Sequence, residues 1–399
     1  MNYKSAYRPC PICSQQRVEV LHQQRFVLPE GHPLPADFDV VSCLDCEFVY
    51  ADTRGNASDY DEYYSQFSKY TDQGTATGGG GNAEDLERLE KMADSLSQFL
   101  PNRDAKIVDI GCANGGLLGA LKSRGFVSLL GVDPSETCIE NTKKLFDVPA
   151  SQGWLNALPP ECQRVDLAVV SHVLEHVLDL KRAVASLAAC LSPNGFLYIE
   201  VPDASRYIEC LAAPFQDFNV EHINHFTASS LVNLMNACGF DSLQIETKLL
   251  ETNKGVPYPA LFGFFHRAPA GVQRGEWLIK REFREAINAY IKQSSARLEA
   301  IDGKLSSFLP EPVYVWGTGQ LTFKLLAETC LSSADIFAFI DGNPLNHGKS
   351  INGKQIIAPE ALSSLPNHTI IIGSLLHHAA ISNHIRDVLC LNNTVVTLE

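Results

Sequence analysis

A short apolar run that ends in an acid and then breaks into glycines constrains the fold of this chain most. Residues 106–116 read Lys-Ile-Val-Asp-Ile-Gly-Cys-Ala-Asn-Gly-Gly, and leucines at helical spacing follow them. This order predicts a β-strand, a tight turn and an α-helix, the first unit of a doubly wound α/β sheet. Gly111 and Gly115 have no side chain, so the backbone of this loop can approach a ligand closely. We therefore expect a ligand site at this loop, which begins near Asp109.

A second predicted strand, 129–133, also ends in an acid, Asp133. In open α/β sheets a carboxylate at this position binds the two hydroxyl groups of a ribose. The glycine loop lacks the Gly-x-Gly-x-x-Gly pattern that seats a dinucleotide pyrophosphate. It reads Asp-x-Gly-x-x-x-Gly-Gly and resembles the nucleoside-binding loop of class I S-adenosylmethionine (SAM) methyltransferases. The resemblance implies SAM as the cosubstrate.

Later segments agree with this resemblance. Residues 150–154 (Ala-Ser-Gln-Gly-Trp) stand where these enzymes cover the adenine, and residues 165–171 predict a buried strand that leads to His172. A helix, a Pro-Asn-Gly turn and a fifth strand, 196–201, complete the predicted domain. The candidate SAM-binding residues are Asp109, Gly111, Cys112, Asn114, Gly115, Asp133, Pro134, Gly153, Trp154, Ser171 and His172.

Two Cys-x-x-Cys knuckles, Cys10-Pro-Ile-Cys13 and Cys43-Leu-Asp-Cys46, lie near the start of the sequence. Each knuckle offers two thiolates from one tight turn, and two knuckles complete a tetrahedron around Zn²⁺. Four thiolates close the coordination sphere, so we expect a structural zinc. A redox pair and a chance spacing are the alternatives, but redox motifs usually occur singly on a βα unit. The residues between the knuckles predict short strands and a long loop.

The catalytic candidates lie in residues 219–227, Asn-Val-Glu-His-Ile-Asn-His-Phe-Thr. Glu221 precedes His222, and His225 follows within the same short segment. A histidine beside the cofactor can act as a base near neutral pH, and a neighbouring carboxylate can orient it. Alternatively, one of the two histidines caps the following helix by hydrogen bonds. Metal binding by this pair is a poor fit because the spacing is not that of a helical His-x-x-x-His motif and no third ligand is evident.

Composition limits the partners and the compartment. The chain has 399 residues, a net charge of −14 and no basic stripe, which argues against a nucleic-acid partner. We see no signal peptide and no run of about 18 apolar residues, so we expect a cytoplasmic protein without a membrane partner. In such a chain the twelve cysteines are expected to be thiols or metal ligands rather than disulfides.

Aromatic residues cluster between positions 60 and 70, ahead of a tetraglycine at 78–81. Most of these tyrosines are expected to pack between domains. One or two, Tyr70 among them, could line a substrate pocket, because a phenol can donate a hydrogen bond to a sugar or enolate oxygen. The glycines predict a hinge or the base of a lid.

The C-terminal region contains a second strand–loop–helix pattern. Residues 253–273 predict a connection and residues 276–308 a long helix, after which Val-Tyr-Val-Trp-Gly-Thr-Gly at 313–319 opens an α/β unit. Thr322 stands where a dinucleotide fingerprint has its third glycine, so NAD binding is poorly supported. Three roles remain open: a degenerate βαβ domain, a shelf for the nucleotide of a substrate, or independent cofactor binding.

The whole arrangement resembles the NDP-sugar C-methyltransferases of deoxysugar biosynthesis. The shared features are the two knuckles, a SAM domain with Leu-Glu-His at 174–176, a Glu-His pair after the fifth strand and a C-terminal Rossmann-like domain. The resemblance implies that His222 is the base, that Glu221 assists it, and that His176 lies near the sugar. It also implicates a loop tyrosine, best matched by Tyr70. The chain departs from that family at Asn219, where a tyrosine is usual.

We therefore predict an α/β protein whose Rossmann-like methyltransferase domain (56–252) is flanked by a zinc-binding domain (1–55) and a C-terminal Rossmann-like α/β domain (253–399). The expected reaction is SAM-dependent methylation of a carbon of a nucleotide-linked keto-deoxysugar through an enolate, with the nucleotide sugar as the small-molecule substrate. An O- or N-methyltransferase acting on another small molecule, and a non-catalytic SAM-binding protein, are the alternatives. A monomer and a homodimer are equally compatible with the sequence.

Overall fold

The computed structural model describes residues 3–67, 83–253, 256–269, 276–308 and 310–399. Tyr70 and the tetraglycine lie outside these residues. The chain divides into two compact units, each built from three segments. The first comprises Met1–Leu21, Val41–Cys210 and Glu221–Ala286, and the second comprises His22–Val40, Leu211–Val220 and Ile287–Glu399. The three predicted domains (1–55, 56–252 and 253–399) have other boundaries than these two units, and they remain a prediction.

The first unit contains a seven-stranded sheet in the order β11-β12-β9-β8-β5-β6-β7. Its strands are β5 (Lys106–Ile110), β6 (Ser128–Asp133), β7 (Ala150–Gln152), β8 (Val165–Ser171), β9 (Leu191–Pro202), β11 (Phe240–Asn253) and β12 (Val256–Arg267). Within the set β5 to β9, every pair of neighbouring strands is parallel, as the sequence predicts. Their side chains are almost entirely buried because helices cover the sheet, which explains their unbroken apolar runs.

Helices connect and flank these strands. They are α1 (Ala57–Glu62), α2 (Ala83–Phe99), α3 (Gly116–Ser123), α4 (Glu136–Phe146), α5 (Leu180–Cys190) and α6 (Ala228–Ala237). Side chains of Ser135, Asp179 and Thr227 cap the N-termini of α4, α5 and α6 by accepting backbone N–H groups. No helix among the described residues has both the length and the apolar character needed to cross a membrane.

The prediction of a connection at 253–273 is wrong for most of that stretch. Strands β11 and β12 form a long antiparallel hairpin, and β12 pairs in turn with β9. Residues 256–267 are therefore part of the seven-stranded sheet. Prolines and glycines interrupt this strand in sequence, but Phe264 and Phe265 are both buried in the sheet's two apolar layers.

The second sheet that positions the site has five strands in the order β1-β2-β3-β4-β10. They are β1 (Tyr3–Ser5), β2 (Arg17–Arg25), β3 (Asp37–Cys43), β4 (Val49–Asp52) and β10 (Asn224–His225). Strand β10 pairs antiparallel with β4, with Asn224 opposite Tyr50. The segment that holds Glu221 and His222 is thereby attached to the sheet that carries the cysteine knuckles.

The second unit contains a six-stranded sheet in the order β15-β16-β14-β13-β17-β18, which is parallel except at β15. Its strands are β13 (Val313–Trp316), β14 (Ile336–Ile340), β15 (Ser350–Ile351), β16 (Lys354–Ile357), β17 (Thr369–Ile372) and β18 (Val395–Val396). Helix α7 (Arg281–Leu305) precedes this sheet, and α8 (Gln320–Glu328) and α9 (His378–Asn383) connect its strands. The predicted strand–loop–helix pattern at 313–319 is confirmed.

Candidate active site

The glycine loop turns sharply between β5 and α3. Gly111, Ala113 and Gly115 all have positive φ angles, of 79°, 46° and 83°. A Cβ on Gly111 would lie 2.5 Å from Val173 Cγ2, and one on Gly115 would lie 2.7 Å from Thr142 Cγ2. Glycine is required at both positions because a side chain would both strain the backbone and collide with packed neighbours.

Asp133 lies where the end of β6 meets this loop. Its Oδ2 accepts the Ala113 N–H at 3.0 Å, and its Oδ1 accepts the Ser135 N–H at 2.9 Å. Burial raises the pKa of Asp133 to about 6, and these two backbone donors oppose the shift. Each oxygen keeps a second lone pair, so the carboxylate fits the predicted ribose contact.

Three other predicted SAM-binding residues hold the loop from within. Burial, together with the charge of Asp133, raises the pKa of Asp109 to about 7. Asn114 is buried and accepts a hydrogen bond from Asn141 Nδ2 at 2.8 Å. Cys112 is also buried. These side chains stabilise the loop's shape, and its backbone is the part best suited to meet a ligand.

Residues 152–154 lie beside Asp133. The Gly153 N–H donates to the Asp133 carbonyl oxygen at 3.1 Å, and Gln152 Nε2 donates to the Pro134 carbonyl oxygen at 2.8 Å. Trp154 Nε1 is a buried donor for which the described part of the chain supplies no acceptor. An unpaired buried N–H is costly unless a ligand or water accepts it, which fits the predicted adenine cover.

His172 follows Ser171 at the end of β8 and lies between two buried carboxylates. Its Nδ1 is 3.2 Å from Glu175 Oε1, and its Nε2 is 3.3 Å from Glu200 Oε1. Burial alone would lower the pKa of His172, but hydrogen bonds to the two glutamates outweigh it and raise the pKa to about 9. His172 is therefore a cation at neutral pH.

Sequence reasoning missed the group around Glu200. Tyr198 donates a hydrogen bond to Glu200 Oε2, and Lys248 Nζ lies 2.5 Å from the same oxygen. Burial alone would raise the pKa of Glu200, but His172 and Lys248 hold it well below its usual range. The available signal was an acid in an otherwise apolar strand, because a fully buried carboxylate is rarely found without a partner.

The structure brings two predicted catalytic histidines together. The rings of His176 and His222 lie 5.0 Å apart, centroid to centroid, in an edge-on arrangement. His176 Nδ1 is 3.0 Å from the Glu221 carbonyl oxygen, which leaves Nε2 to face Glu175 Oε1 at 3.9 Å. Glu221 itself is buried. Two imidazoles, the Glu175 carboxylate and the Glu221 carbonyl oxygen thus converge from segments that lie far apart in the sequence.

The ligand atoms of Glu175, His176 and His222 all lie within 4.8 Å of one another, a spacing that could also hold a metal ion. Glu175 Oε1 also accepts a hydrogen bond from His172. Two adjacent imidazoles beside a carboxylate are equally suited to proton transfer.

Tyr64 is the tyrosine that the structure places beside this group. Its ring contacts the edge of His176 at 5.5 Å between centroids, and Tyr63 packs against Tyr64 at 5.1 Å. Tyr70, the residue matched from sequence, lies outside the described residues. The cluster of tyrosines therefore does reach the site, through Tyr64.

His225 does not join His176 and His222. It is fully buried in β10, with Nδ1 3.4 Å from the Tyr207 hydroxyl. Burial, together with the charge of Arg8, lowers the pKa of His225 to about 3, so the ring is neutral. This surrounding favours the structural alternative for one of the two histidines, but Thr227 rather than a histidine caps the next helix.

The four cysteines of the knuckles converge. Their sulfur atoms all lie within 4.8 Å of one another, with Cys10–Cys46 at 3.5 Å and Cys13–Cys43 at 3.3 Å. All four are free thiols. A tetrahedron with Zn–S bonds of about 2.3 Å places its sulfur atoms at a similar spacing, so the four residues fit a zinc ion.

In the second unit, the loop at Gly317 does not favour a dinucleotide. Thr322 Oγ1 donates to the Gly317 carbonyl oxygen at 2.6 Å and so occupies the space that the missing glycine would leave. Asp341 Oδ2 accepts the Thr318 N–H at 2.9 Å. The Gly317 carbonyl oxygen and the Thr318 N–H of this loop are therefore already hydrogen-bonded to side chains of the same unit.

Residues 84–245 match the family described as "Methyltransferase domain", and residues 310–396 match "C2185-like, N-terminal". A ubiquinone/menaquinone biosynthesis C-methyltransferase of Campylobacter jejuni is 25% identical over 122 residues, 29% of this chain and 52% of that protein. A ubiquinone biosynthesis O-methyltransferase of Bartonella tribocorum is 32% identical over 120 residues, 28% of this chain and 46% of that protein. The chain thus spans about half the length of the curated relatives it matches.

Among solved structures, the magnesium protoporphyrin IX methyltransferase of Synechocystis is 15% identical, with a TM-score of 0.41. That match covers 53% of this chain and 100% of the other. A SAM-dependent methyltransferase of Mesorhizobium loti is 20% identical, with a TM-score of 0.37. This match covers 45% of the present chain and 100% of the Mesorhizobium protein. The family match and the sheet topology together support a class I SAM-dependent methyltransferase domain in residues 84–245.

Proposed function

We propose that the protein is a SAM-dependent methyltransferase that methylates a carbon of a nucleotide-linked keto-deoxysugar through an enolate. The convergence of His176 and His222, with Glu175 and Glu221 close by, carries the proposal. An imidazole can remove a proton from a carbon next to a keto group near neutral pH. The resemblance to NDP-sugar C-methyltransferases, which rests on the Glu-His pair and the cysteine knuckles, supports the sugar substrate.

In this proposal the backbone of Gly111 and Gly115, the Asp133 carboxylate and the Trp154 indole hold SAM. When bound, SAM supplies an electrophilic methyl group. The positive charge of His172 is balanced by two carboxylates, so this side of the site does not repel a sulfonium. The residues of this loop therefore bind and orient the cosubstrate.

His222 removes the proton from the sugar carbon, and the electrons of the broken C–H bond move into the enolate. The enolate carbon then forms its bond to the methyl group of SAM while the sulfur–methyl bond breaks. The electron pair of that bond stays on sulfur, S-adenosylhomocysteine leaves, and His222 releases its proton to solvent. His176 and a loop phenol, Tyr64 or Tyr70, stabilise the enolate oxygen, the phenol by donating its O–H. Holding these groups in line is the main contribution of the protein.

The variant His222→Ala tests the assignment of the base. We expect methyl transfer to a keto-sugar nucleotide to fall by about 10²–10⁴-fold. The dissociation constant of SAM, measured by calorimetry, should not change, because His222 lies outside the glycine loop. His377→Ala, which removes an exposed histidine of the second unit, is the matched control. Full turnover by His222→Ala with SAM bound would show that the base lies elsewhere.

An O- or N-methyltransferase is the second candidate, because the relatives include an O-methyltransferase at 32% identity. There the histidine would deprotonate a hydroxyl or amine instead of a carbon. Deuterium uptake at the sugar carbon in D₂O without SAM separates the two reactions, since only a carbon acid exchanges a C–H proton. No uptake by a protein that transfers methyl would favour the alternative.

We also propose that Cys10, Cys13, Cys43 and Cys46 bind one structural Zn²⁺. The convergence of four free thiols supports this. A site with four thiolates has no open position for a substrate, so the metal would stabilise the knuckles and take no part in the reaction.

A further inference from the structure

A buried arginine connects the cysteine knuckles to the candidate catalytic histidines. Arg8 lies two residues before Cys10, and only 8% of it is exposed. Its guanidinium donates to the carbonyl oxygens of Val177 at 3.2 Å, Leu178 at 2.7 Å and Ile223 at 3.2 Å. These acceptors are the residues that directly follow His176 and His222 in the chain.

Asn224 completes the connection. Its Oδ1 accepts a hydrogen bond from Arg8 at 2.9 Å, while its Nδ2 donates to the carbonyl oxygens of Leu174 at 2.8 Å and Val177 at 2.7 Å. The Ile223 N–H also donates to the Glu175 carbonyl oxygen at 2.8 Å. Hydrogen bonds therefore join the segment of His176 to the segment of His222 in two ways, through Arg8 and directly.

Arg8 is itself held at its backbone. Its N–H donates to Asp52 Oδ1 at 2.7 Å, and its carbonyl oxygen accepts from the Tyr50 hydroxyl at 3.0 Å. Asp52 and Tyr50 both lie on β4, the strand that follows the second knuckle and pairs with β10. The sheet that carries the knuckles thus holds the backbone of Arg8, and the segments of His176 and His222 hold its guanidinium.

We infer that Arg8 and Asn224 form a clamp that sets the distance between the His176 and His222 rings. Both residues act by positioning, since neither lies among the proposed reacting groups, and this role rests on the proposed function. A guanidinium presents five donors in a rigid plane, so it can satisfy several buried carbonyl oxygens at once, whereas an ammonium cannot reach the same set. Even a small displacement of the reacting groups lowers the rate of the chemical step strongly.

The test compares Arg8→Lys with Arg17→Lys in the full-length, zinc-loaded protein. Arg17 lies in the same N-terminal segment, but its side chain is 74% exposed and pairs only with Asp45 in the described residues. For Arg8→Lys we expect equal zinc content and an unchanged SAM dissociation constant, with kcat lowered by about tenfold or more. Amide hydrogen exchange should quicken at 174–178 and 221–225, and Arg17→Lys should leave all of these quantities unchanged.

A kcat within about threefold of the parent protein, with unchanged exchange in both segments, would overturn the clamp. Parallel loss of kcat, SAM affinity and cooperative unfolding would also overturn it, because that pattern marks a general structural role. If the parent protein transfers no methyl group at all, the proposed function fails, and the exchange rates still decide whether the clamp exists. If Arg8→Lys does not fold, Asn224→Asp keeps the acceptor for Arg8 and removes the two donors, and faster exchange at 174–177 is then expected.

Discussion

At the scale of single residues, surroundings separate side chains that look alike in the sequence. His222 and His225 stand three positions apart, yet His222 lies beside His176 and His225 is fully buried next to Tyr207. Sequence spacing alone could name both as candidates but could not choose between them. The choice depends on burial, because burial disfavours the protonated, charged form of an imidazole.

The loss of folding stability at acidic pH should reveal the low pKa of His225. Its pKa is about 3 in the folded protein and 6.5 by reference, so the unfolded chain binds a proton that the native state refuses. Stability is therefore lost as pH falls below that reference value, by up to about 1.4 kcal/mol per pH unit. Denaturant unfolding between about pH 7 and 5 should show a shallower loss for His225→Gln than for the parent. An equally steep loss would contradict this, and exposed His377→Ala should not alter the slope.

If Asp133 binds the ribose as we propose, the affinity for SAM should depend on the ionisation of its carboxyl group. Its pKa is about 6 because burial disfavours the charged form. The ionised carboxylate is the better acceptor, so the SAM dissociation constant should rise by up to about tenfold per pH unit below that pKa. Calorimetry at several pH values measures this slope. Asp133→Asn should bind more weakly with a flatter pH dependence, and a slope that persists in this variant would point to another group, such as Asp109.

At the scale of elements, local pattern predicted most of the parallel strands and helices, because their apolar periodicity is strong. The hairpin β11–β12 was missed because glycine and proline break its pattern. The two-residue strand β10 could not be predicted, since it exists only through its pairing with β4. Yet β10 is the element that places the Glu221–His222 segment.

The knuckles offer the element-scale prediction. Cys43→Ser should release the zinc and lower the free energy of unfolding by several kcal/mol, because metal binding and folding of a thiolate site are linked. Metal analysis per chain and denaturant unfolding measure both effects. Cys390→Ser, at an exposed cysteine, is the matched control and should retain one zinc per chain. A Cys43→Ser protein that kept equimolar zinc would show that the four thiols are not its ligands.

At the scale of the whole molecule, the two units are not consecutive in the chain. The second unit draws His22–Val40 and Leu211–Val220 from the N-terminal two thirds of the sequence. Within it, Gln24 Nε2 donates to the Phe218 carbonyl oxygen, and the Phe215 N–H donates to Ser294 Oγ at 3.1 Å. Simple sequence boundaries therefore do not follow its packing.

A chain that ends at Ala286 should show the consequence. It keeps two segments of the second unit but loses Ile287–Glu399, which supplies Ser294 and Tyr290 to them. Phe215 and Phe218 would lose their burial, so we expect dye binding and rapid proteolysis within 22–40 and 211–220. Equal protease resistance in the shortened and full-length chains would show that these segments fold without the rest of their unit.

The sequence by itself determined the glycine loop, the acid at the end of the second strand and the two cysteine knuckles, because each is recognised from a short local pattern of residues. Only the tertiary structure decided which histidines meet, that Tyr64 reaches them, and that Arg8 and Asn224 join their segments. These relations link positions about 50 to more than 200 residues apart. Burial and hydrogen bonding across such distances arise only when the sheets assemble, and they set the pKa values on which the proposed chemistry depends.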